Sequence, residues 1–447
     1  MGFNEIMGLV MLLCMITVIF IGFSISFTLL FIALIFGAIT LGVDRTFYLA
    51  YLQIWSSMKD DILPAVPLFI FMGYMAEKAD LMSRLFKTFQ MVFAPLRGSI
   101  YLAVLLTATI FAMATGIVGA AVTVLGIMAG PIMLKAGYDE KLSAGSIAAG
   151  GTLGILIPPS VMLIVMGPVI GVPVNKLYAS AVGPGVVLAI AYICYCLVRS
   201  YLNPKLGPPI PKEDRITNPL VLLKEAVISV VPLFALIAAT LGTILAGLAT
   251  ATEAAACGAF GATLLCILYR KFTWKALINA ASATILTSSM VLFLVMASNV
   301  FGAVFVQTGA SSLVSGFVEQ IPLPDMGKLM LIMLIIFLLG WPFEWPAIVL
   351  VFVPIFIPVI QKLNLGLSPA EMMLWFGATI AVNLQTAFLS PPVAMSAYYL
   401  KTVVPRWSLS MIFSGMAQFM VIQVVILVAI LFIPSIVLWF PRFLYGQ

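Results

Sequence analysis

The chain alternates long apolar stretches with short polar ones, a pattern typical of a protein that crosses a membrane many times. The first apolar stretch, 6–42, has about twice the length of one spanning helix and predicts two helices that turn near Gly22–Ser24. Stretch 62–79 predicts another span. The more polar pieces on either side of it, 44–61 and 80–97, predict segments that lie at the membrane surface.

Segment 99–134 carries no charged residue and is interrupted at Thr115 and Gly116. Basic residues stand at both of its ends, and cytoplasmic loops are enriched in lysine and arginine, so both ends are expected in the cytoplasm. The segment is then either a re-entrant hairpin or two full spans. Two complete spans need about 40 residues and a turn, so we expect the hairpin.

A helix broken at Pro158–Pro159 follows this segment, and a similar break is predicted at Pro391–Pro392 in the second half of the chain. Each half contains two spans, an interfacial piece, a span, a surface segment, a hairpin, a broken helix and a final span. The two halves enter from opposite faces, and such inverted repeats with discontinuous helices are typical of secondary transporters. The remaining segments are a span at 177–198, a polar linker at 203–219, spans at 226–247, 252–269 and 277–306, a polar stretch at 307–327, a hairpin at 328–360, the broken helix at 371–400 and a last span at 407–440.

Composition narrows the class of protein. Of the 447 residues, 63% are hydrophobic and 9% are charged, whereas soluble domains carry about 25% charged residues. A soluble enzyme is therefore excluded, and a net charge of +6 forms no basic stripe for nucleic acid. Histidine is absent, which removes histidine triads, the HExxH zinc helix and histidine proton relays. We expect no enzymatic activity.

Charge also orients the chain. Sixteen of the 22 basic residues fall in segments expected on the cytoplasmic side, which leaves the N-terminus in the periplasm. The six basic residues expected outside are Arg45, Lys59, Lys176, Lys328, Lys362 and Arg442. Four tryptophans are expected to anchor the chain at the membrane interfaces, namely Trp341, Trp345, Trp375 and Trp407.

The two Pro-Pro pairs point to cation binding. Proline has no backbone N–H, so the unwound carbonyls near each pair lack helical partners, which is costly in hydrocarbon. A cation can replace the missing donors. Two hairpin tips that face two broken helices therefore predict sodium sites made largely of backbone carbonyls and hydroxyls, and the absence of histidine favours sodium over histidine-relayed protons.

Several motifs resemble the DctM-like large membrane subunit of the tripartite ATP-independent periplasmic (TRAP) transporters. The likeness covers essentially the whole chain and is most specific over 144–160. One departure is the first tip, Thr115-Gly-Ile-Val118, where the family often has Ser-Gly-Ser-Ser. The other motifs are Pro67-Leu-Phe-Ile-Phe-Met-Gly73, Gly137-Tyr-Asp-Glu-Lys141, Thr252-Glu-Ala-Ala-Ala256 and Asn383-Leu-Gln-Thr-Ala-Phe-Leu-Ser-Pro-Pro392.

The resemblance implies an all-α polytopic membrane protein that imports a small organic acid across the bacterial inner membrane, coupled to sodium, by an elevator mechanism. It implies two partners, a small four-helix membrane subunit and a periplasmic substrate-binding protein, besides the lipid bilayer. A stand-alone sodium-coupled carboxylate symporter or antiporter is the alternative. Scaffold segments would be 1–98 and 172–306, the transport domain would comprise 99–171 and 307–402, and 403–447 would form the C-terminal span.

The resemblance also implies site residues. The first sodium site would involve Thr115, Gly116, Gly154, Ile157 and Pro159. By internal symmetry, the second would involve Gly340, Glu344, Ala387, Ser390 and Pro392. The substrate would lie between the tips, near Thr152, Asn383 and Thr386.

Overall fold

The computed structural model describes residues 2–116, 118–211, 213, 215, 219–391 and 394–446, and it is helical with no strand in these residues. Two 3-10 turns, Leu153–Ile155 and Thr386–Phe388, and two π-helical stretches, Ala238–Gly242 and Ile348–Phe352, interrupt the helices. The α-helices are α1 Phe3–Ile21, α2 Ile25–Thr40, α3 Val43–Met58, α4 Ala65–Lys78, α5 Leu81–Val92, α6 Ser99–Thr115, α7 Val118–Lys135, α8 Glu140–Thr152, α9 Val161–Ile170, α10 Val174–Leu202, α11 Pro219–Ile237, α12 Thr243–Leu245, α13 Ala251–Leu268, α14 Trp274–Gln307, α15 Ala310–Gln320, α16 Asp325–Leu339, α17 Trp345–Ala347, α18 Val353–Ile360, α19 Pro369–Gln385, α20 Met395–Val403, α21 Leu409–Phe432 and α22 Ser435–Tyr445.

The helices confirm a multi-pass membrane protein. Within the described ranges, seven segments are long and apolar enough to span a bilayer. They are Phe3–Ile21, Val118–Lys135, Val174–Leu202, Leu222–Leu245, Ala251–Leu268, Trp274–Gln307 and Leu409–Phe432.

The internal repeat is visible in the order of the helices. Two amphipathic helices, α5 and α15, precede two hairpins, α6–α7 and α16–α18. Each hairpin is followed by a broken helix, α8–α9 or α19–α20, whose first arm ends in a 3-10 turn. A long helix, α10 or α21, follows each broken helix.

Two sequence expectations were wrong in detail. The second half has no separate interfacial piece, because the 34-residue helix α14 occupies the place that α3 and α4 share in the first half. The last span is also not continuous. It ends at Phe432, and Pro434 separates it from α22, which packs against α10. Proline lacks the N–H that would continue the helix, which explains the second difference.

The helices pack as two bodies. Helices α1–α5 and α11–α15 pack mainly against one another, above all α4 on α13 and α14 on α2, and we call them the frame. Helices α6–α10 and α16–α22 contain both hairpins and both breaks, and we call them the hairpin body. Helix α10 falls within segment 172–306, which the sequence analysis placed in the scaffold, but it packs on α6, α9, α19 and α22.

The contacts along helix α10 show how far the first hairpin reaches. One of its ends meets α9, where a Cβ on Gly167 would lie 2.9 Å from the Val174 side chain. At its middle, a Cβ on Gly185 would lie 2.7 Å from Ile157, which belongs to the break. Near its other end, Ser200 lies against Gly98 at the base of the hairpin.

The tip of this hairpin lies at the level of the break. A Cβ on Gly116 would be 3.0 Å from the carbonyl oxygen of Pro159. Helix α9 continues beyond that level for 10 residues, which corresponds to about 15 Å. Segment 99–134 is therefore a re-entrant hairpin, because it stops well short of the far end of α10.

Two of the four tryptophans are not interfacial anchors. Trp375 and Trp407 are fully buried, and the indole N–H of Trp375 donates to the carbonyl of Ile430 at 3.0 Å. The side chains of Trp341 and Trp345 are at least partly exposed, but both residues flank the second hairpin tip beside Gly340 and Glu344.

Helices α8 and α21 approach closely through two glycines, Gly145 and Gly415. A Cβ on Gly145 would lie 2.6 Å from the carbonyl oxygen of Gly415, and one on Gly415 would collide with the carbonyl oxygen of Lys141. We expect Gly415→Ala to destabilise the protein by about 1–3 kcal/mol through overpacking. The thermal unfolding midpoint in detergent measures this effect.

Gly302→Ala in α14 is the matched control, because a Cβ there meets nothing within 4 Å and alanine is the better helix former. Equal midpoints for the two variants would contradict the close crossing of α8 and α21.

Candidate functional site

The first helix break consists of buried backbone with few donors. Thr152 ends α8, the 3-10 turn Leu153–Ile155 follows, and the chain stays unwound until α9 begins at Val161. No N–H or hydroxyl from the described part of the chain donates to the carbonyl oxygens of Gly154, Ile157 or Pro159.

The physical consequence is a group of carbonyl oxygens that favours positive charge. Gly154, Ile157 and Pro159 are buried, and a buried carbonyl without a donor is costly. Sodium and other hard cations bind carbonyl oxygens, so these carbonyl oxygens fit such an ion as ligands.

The first hairpin tip closes over this break. Thr115 is the last residue of α6, and its side chain lies outside what the structure describes. Gly116 follows with a left-handed φ of 61° and lies against Pro159 and Ser160. Close approach and a positive φ both require glycine here.

The second break repeats this arrangement. A Cβ on Gly340, at the second tip, would lie 3.2 Å from the Cβ of Ala387, which belongs to the 3-10 turn Thr386–Phe388. Among described donors, none bonds the carbonyl oxygens of Gly340 or Ala387. The hydroxyl of Ser390 donates to the carbonyl of Thr386 at 2.9 Å, and Pro392 lies outside the described residues.

Two serines hold the turns in equivalent ways, and sequence reasoning missed this role for both. The hydroxyl of Ser160 donates to the carbonyl of Ile155, and that of Ser396 donates to the carbonyl of Phe388 at 2.5 Å. Ile155 and Phe388 are the last residues of their 3-10 turns. Both serines are fully buried, so each satisfies a carbonyl that would otherwise lack a donor.

We therefore expect Ser160→Ala and Ser396→Ala each to lower the free energy of unfolding by about 1–3 kcal/mol, because a buried acceptor loses its donor. Denaturant or thermal unfolding of the purified protein measures this loss. Ser180→Ala is the control, since the buried Ser180 hydroxyl bonds only the Leu177 carbonyl of its own helix. Losses no larger than that of the control would rule out this role for the two serines.

A cavity of about 260 Å³ lies between the two tips, where the hairpin body faces the frame. The half-buried Glu344, the residue before α17, is the acid that lines it, and no basic residue lines it in the described part of the chain. The cavity can therefore accept a cation or a small polar molecule. Its lining includes Ile70, Gly116, Gly119, Ile155, Val161, Thr287, Met290, Val291, Glu344, Trp345, Phe388, Met395 and Tyr399.

The predicted substrate residues lie behind the turns, away from this cavity. Thr152, Asn383 and Thr386 are all buried inside the hairpin body. The Asn383 amide donates to the carbonyl of Met333 at 2.7 Å, and the Thr386 hydroxyl donates to the Asn383 carbonyl at 2.6 Å. The polar side chains that line the cavity are instead Glu344, Thr287 and Tyr399, of which sequence reasoning singled out only the first.

Comparison with known families decides the identity. A family model described as "Tripartite ATP-independent periplasmic transporter, DctM component" matches residues 11–436, nearly the whole chain. The chain belongs to the DctM family of TRAP transporter permeases. It is a transporter subunit and not an enzyme.

Curated relatives agree with a DctM permease. The chain is 27% identical over 437 residues to the sialic acid TRAP transporter large permease protein SiaM of Vibrio cholerae, covering 96% of this chain and 97% of that one. It is 26% identical over 398 residues to the C4-dicarboxylate TRAP transporter large permease protein DctM of Pseudomonas aeruginosa, covering 88% and 89%.

Solved structures support the fold of this DctM permease. The crystal structure of the Alcanivorax borkumensis YdaH transporter matches with a TM-score of 0.61 at 13% identity, covering 88% of this chain and 89% of that one. At that identity the likeness shows a shared fold.

Proposed function

We propose that the protein is the large permease subunit of a sodium-coupled TRAP transporter that imports a small organic acid through an elevator movement. The observation that carries the proposal is the pair of symmetric helix breaks, each covered by a hairpin tip and each containing buried carbonyls without described donors. The names of the two relatives, which concern sialic acid and C4-dicarboxylates, support an organic acid as the cargo.

Sodium would be held by the breaks and tips. In the proposal, Thr115, Gly116, Gly154, Ile157 and Pro159 contribute to one site. The second site uses Gly340, Glu344, Ala387 and Ser390, together with Pro392, which lies outside the described residues. The ions would take the place of the hydrogen-bond donors that the unwound carbonyls lack, and carbonyl and hydroxyl oxygens are suitable ligands for sodium.

The substrate would occupy the cavity between the tips. Thr152, Asn383 and Thr386 would act from behind, by holding the turns that form its wall. The cavity lies between the two bodies, so a sliding movement of the hairpin body along the frame would carry it across the bilayer.

We infer the partner proteins from the family and the membrane orientation from the distribution of charge. TRAP transporters are tripartite, and we propose that this chain works with a small four-helix membrane subunit and a periplasmic binding protein in the bacterial inner membrane. The excess of basic residues at the end that holds the bases of α6 and α8 supports a cytoplasmic location for that end. The N-terminus would then be periplasmic, since Gly8 packs against Thr308 at the opposite end.

Reconstituted uptake tests the proposal. The chain, its small subunit and the cognate binding protein loaded with labelled ligand are combined with proteoliposomes under an inward sodium gradient. We expect uptake that requires all three proteins and stops when potassium replaces sodium. Sodium-driven uptake by the chain alone would establish the stand-alone transporter instead, and uptake indifferent to sodium would contradict the coupling.

A further inference from the structure

A buried hydrogen bond joins the two broken helices. The side-chain amide of Gln385 donates to the hydroxyl of Thr152 at 3.1 Å, and both residues are fully buried. Thr152 is the last residue of α8 and Gln385 is the last residue of α19. The bond therefore connects equivalent positions of the two repeats, each directly before a 3-10 turn.

Two further side chains hold this bond in place. The amide of the buried Gln423 donates to the carbonyl oxygen of Val382 at 2.8 Å and to the side-chain oxygen of Gln385 at 3.4 Å. A carbonyl can only accept, so the contact with Val382 fixes which end of the Gln423 amide is nitrogen. The oxygen of Gln385 must then face Gln423, and its nitrogen must face Thr152.

The chain of contacts extends to a fourth helix. The hydroxyl of Tyr192 in α10 donates to the side-chain oxygen of Gln423 at 3.5 Å. The network thus links α10, α21, α19 and α8 through side chains that are all fully buried. Hydrogen bonds in such a dry interior are strong, and a missing partner leaves an unsatisfied group.

The Gln385–Thr152 hydrogen bond, which we call the bridge, lies very close to both proposed ion sites. Gly154 is two residues beyond Thr152, and Ala387 is two residues beyond Gln385. Each belongs to the 3-10 turn of a break that is covered by a hairpin tip. Ordering one turn around an ion would therefore restrict the other turn through a single hydrogen bond, which is a coupling between sites.

We propose that the Gln385–Thr152 bridge, held by Gln423, makes sodium binding at the two breaks cooperative. The inference rests on the proposed function. Gln385, Thr152 and Gln423 act here as positioning residues, because they touch the turns and not the ions.

Equilibrium binding of ²²Na⁺ to the full chain in lipid nanodiscs tests the bridge without requiring transport. We expect a Hill coefficient clearly above 1 for the unaltered protein. Thr152→Val and Gln385→Leu should bring it to about 1 and raise the half-saturating sodium concentration about fivefold or more, as loss of a typical coupling predicts.

Two matched variants separate the effect of losing the Gln385–Thr152 hydrogen bond from the effect of changing a buried threonine. Thr152→Ser keeps the hydroxyl and should keep the cooperativity. Thr379→Val in α19 also removes a buried hydroxyl, but that hydroxyl bonds only the Trp375 carbonyl of its own helix at 2.6 Å. Its Hill coefficient should match that of the unaltered protein.

The outcomes distinguish this inference from the proposed function. No saturable sodium binding by the unaltered protein would overturn both. Binding with a Hill coefficient of 1 in the unaltered protein, or cooperativity retained in Gln385→Leu, would overturn the bridge and leave sodium binding in place. If Thr152→Val fails to fold, as thermal unfolding in potassium would reveal, Gln385→Leu and Gln385→Met carry the test alone.

Discussion

Gly116→Ala should lower sodium-driven uptake about tenfold or more while the protein still folds. The substitution places a Cβ 3.0 Å from the Pro159 carbonyl oxygen, so the tip must move off the break. The residue also has a φ of 61°, which costs alanine about 1–2 kcal/mol. A tenfold change corresponds to about 1.4 kcal/mol in a barrier. Initial uptake rates in proteoliposomes measure the effect.

Gly137→Ala is the matched control for this substitution. Gly137 has a φ of 71°, so it imposes the same backbone strain, but a Cβ there meets nothing within 4 Å. Uptake by Gly137→Ala should stay within about twofold of the unaltered protein, since strain alone does not displace the tip. Equal losses in the two variants would mean that contact between the first tip and the break plays no part in transport.

Glu344→Gln should raise the half-saturating sodium concentration of uptake about tenfold. The half-buried carboxylate of Glu344 lines the cavity at the second tip, and no basic side chain neutralises it among the described lining residues. Two opposite charges about 4 Å apart attract by about 4 kcal/mol at an effective dielectric constant of 20, so a tenfold loss of affinity is a modest part of that attraction. Uptake rates measured against sodium concentration provide the comparison.

Glu319→Gln serves as the control for this charge. Glu319 pairs with Lys362 at 2.7 Å on the surface, away from the cavity, and its removal should leave the sodium dependence unchanged. If Glu344→Gln keeps the sodium dependence of the unaltered protein, Glu344 is a gate contact or a solvated side chain and not an ion ligand.

The breaks and the hairpins could be predicted because their causes are local. Pro158 and Pro159 remove consecutive N–H groups, and Gly116 interrupts a charge-free stretch that is too short for two spans. The distribution of basic residues then predicted that the halves are inverted. These signals depend on the residue types alone and need no knowledge of the packing.

Other features depend on long-range packing, which one sequence does not reveal. Ser396 lies eight residues from the carbonyl it satisfies, and Tyr399 enters the cavity only because α20 packs beside α7. Trp375 has the same side chain as an interfacial tryptophan. It is buried because the carbonyl of Ile430 in α21 accepts a hydrogen bond from its indole N–H. Helix α10 has the length of a scaffold span, but its small residues let it pack against the first break.

Reversible cross-linking across the cavity tests the proposed movement most directly. Val291 of the frame and Trp345 of the second tip both line the cavity, and each is replaced by cysteine in a chain whose five native cysteines are alanine. A short bis-methanethiosulfonate then joins the two bodies. We predict that the reagent lowers uptake by the double-cysteine protein to background and that reduction restores the rate measured before cross-linking, while the same reagent does not change the rate of either single-cysteine protein. Full uptake by completely cross-linked protein would contradict the sliding of the hairpin body along the frame.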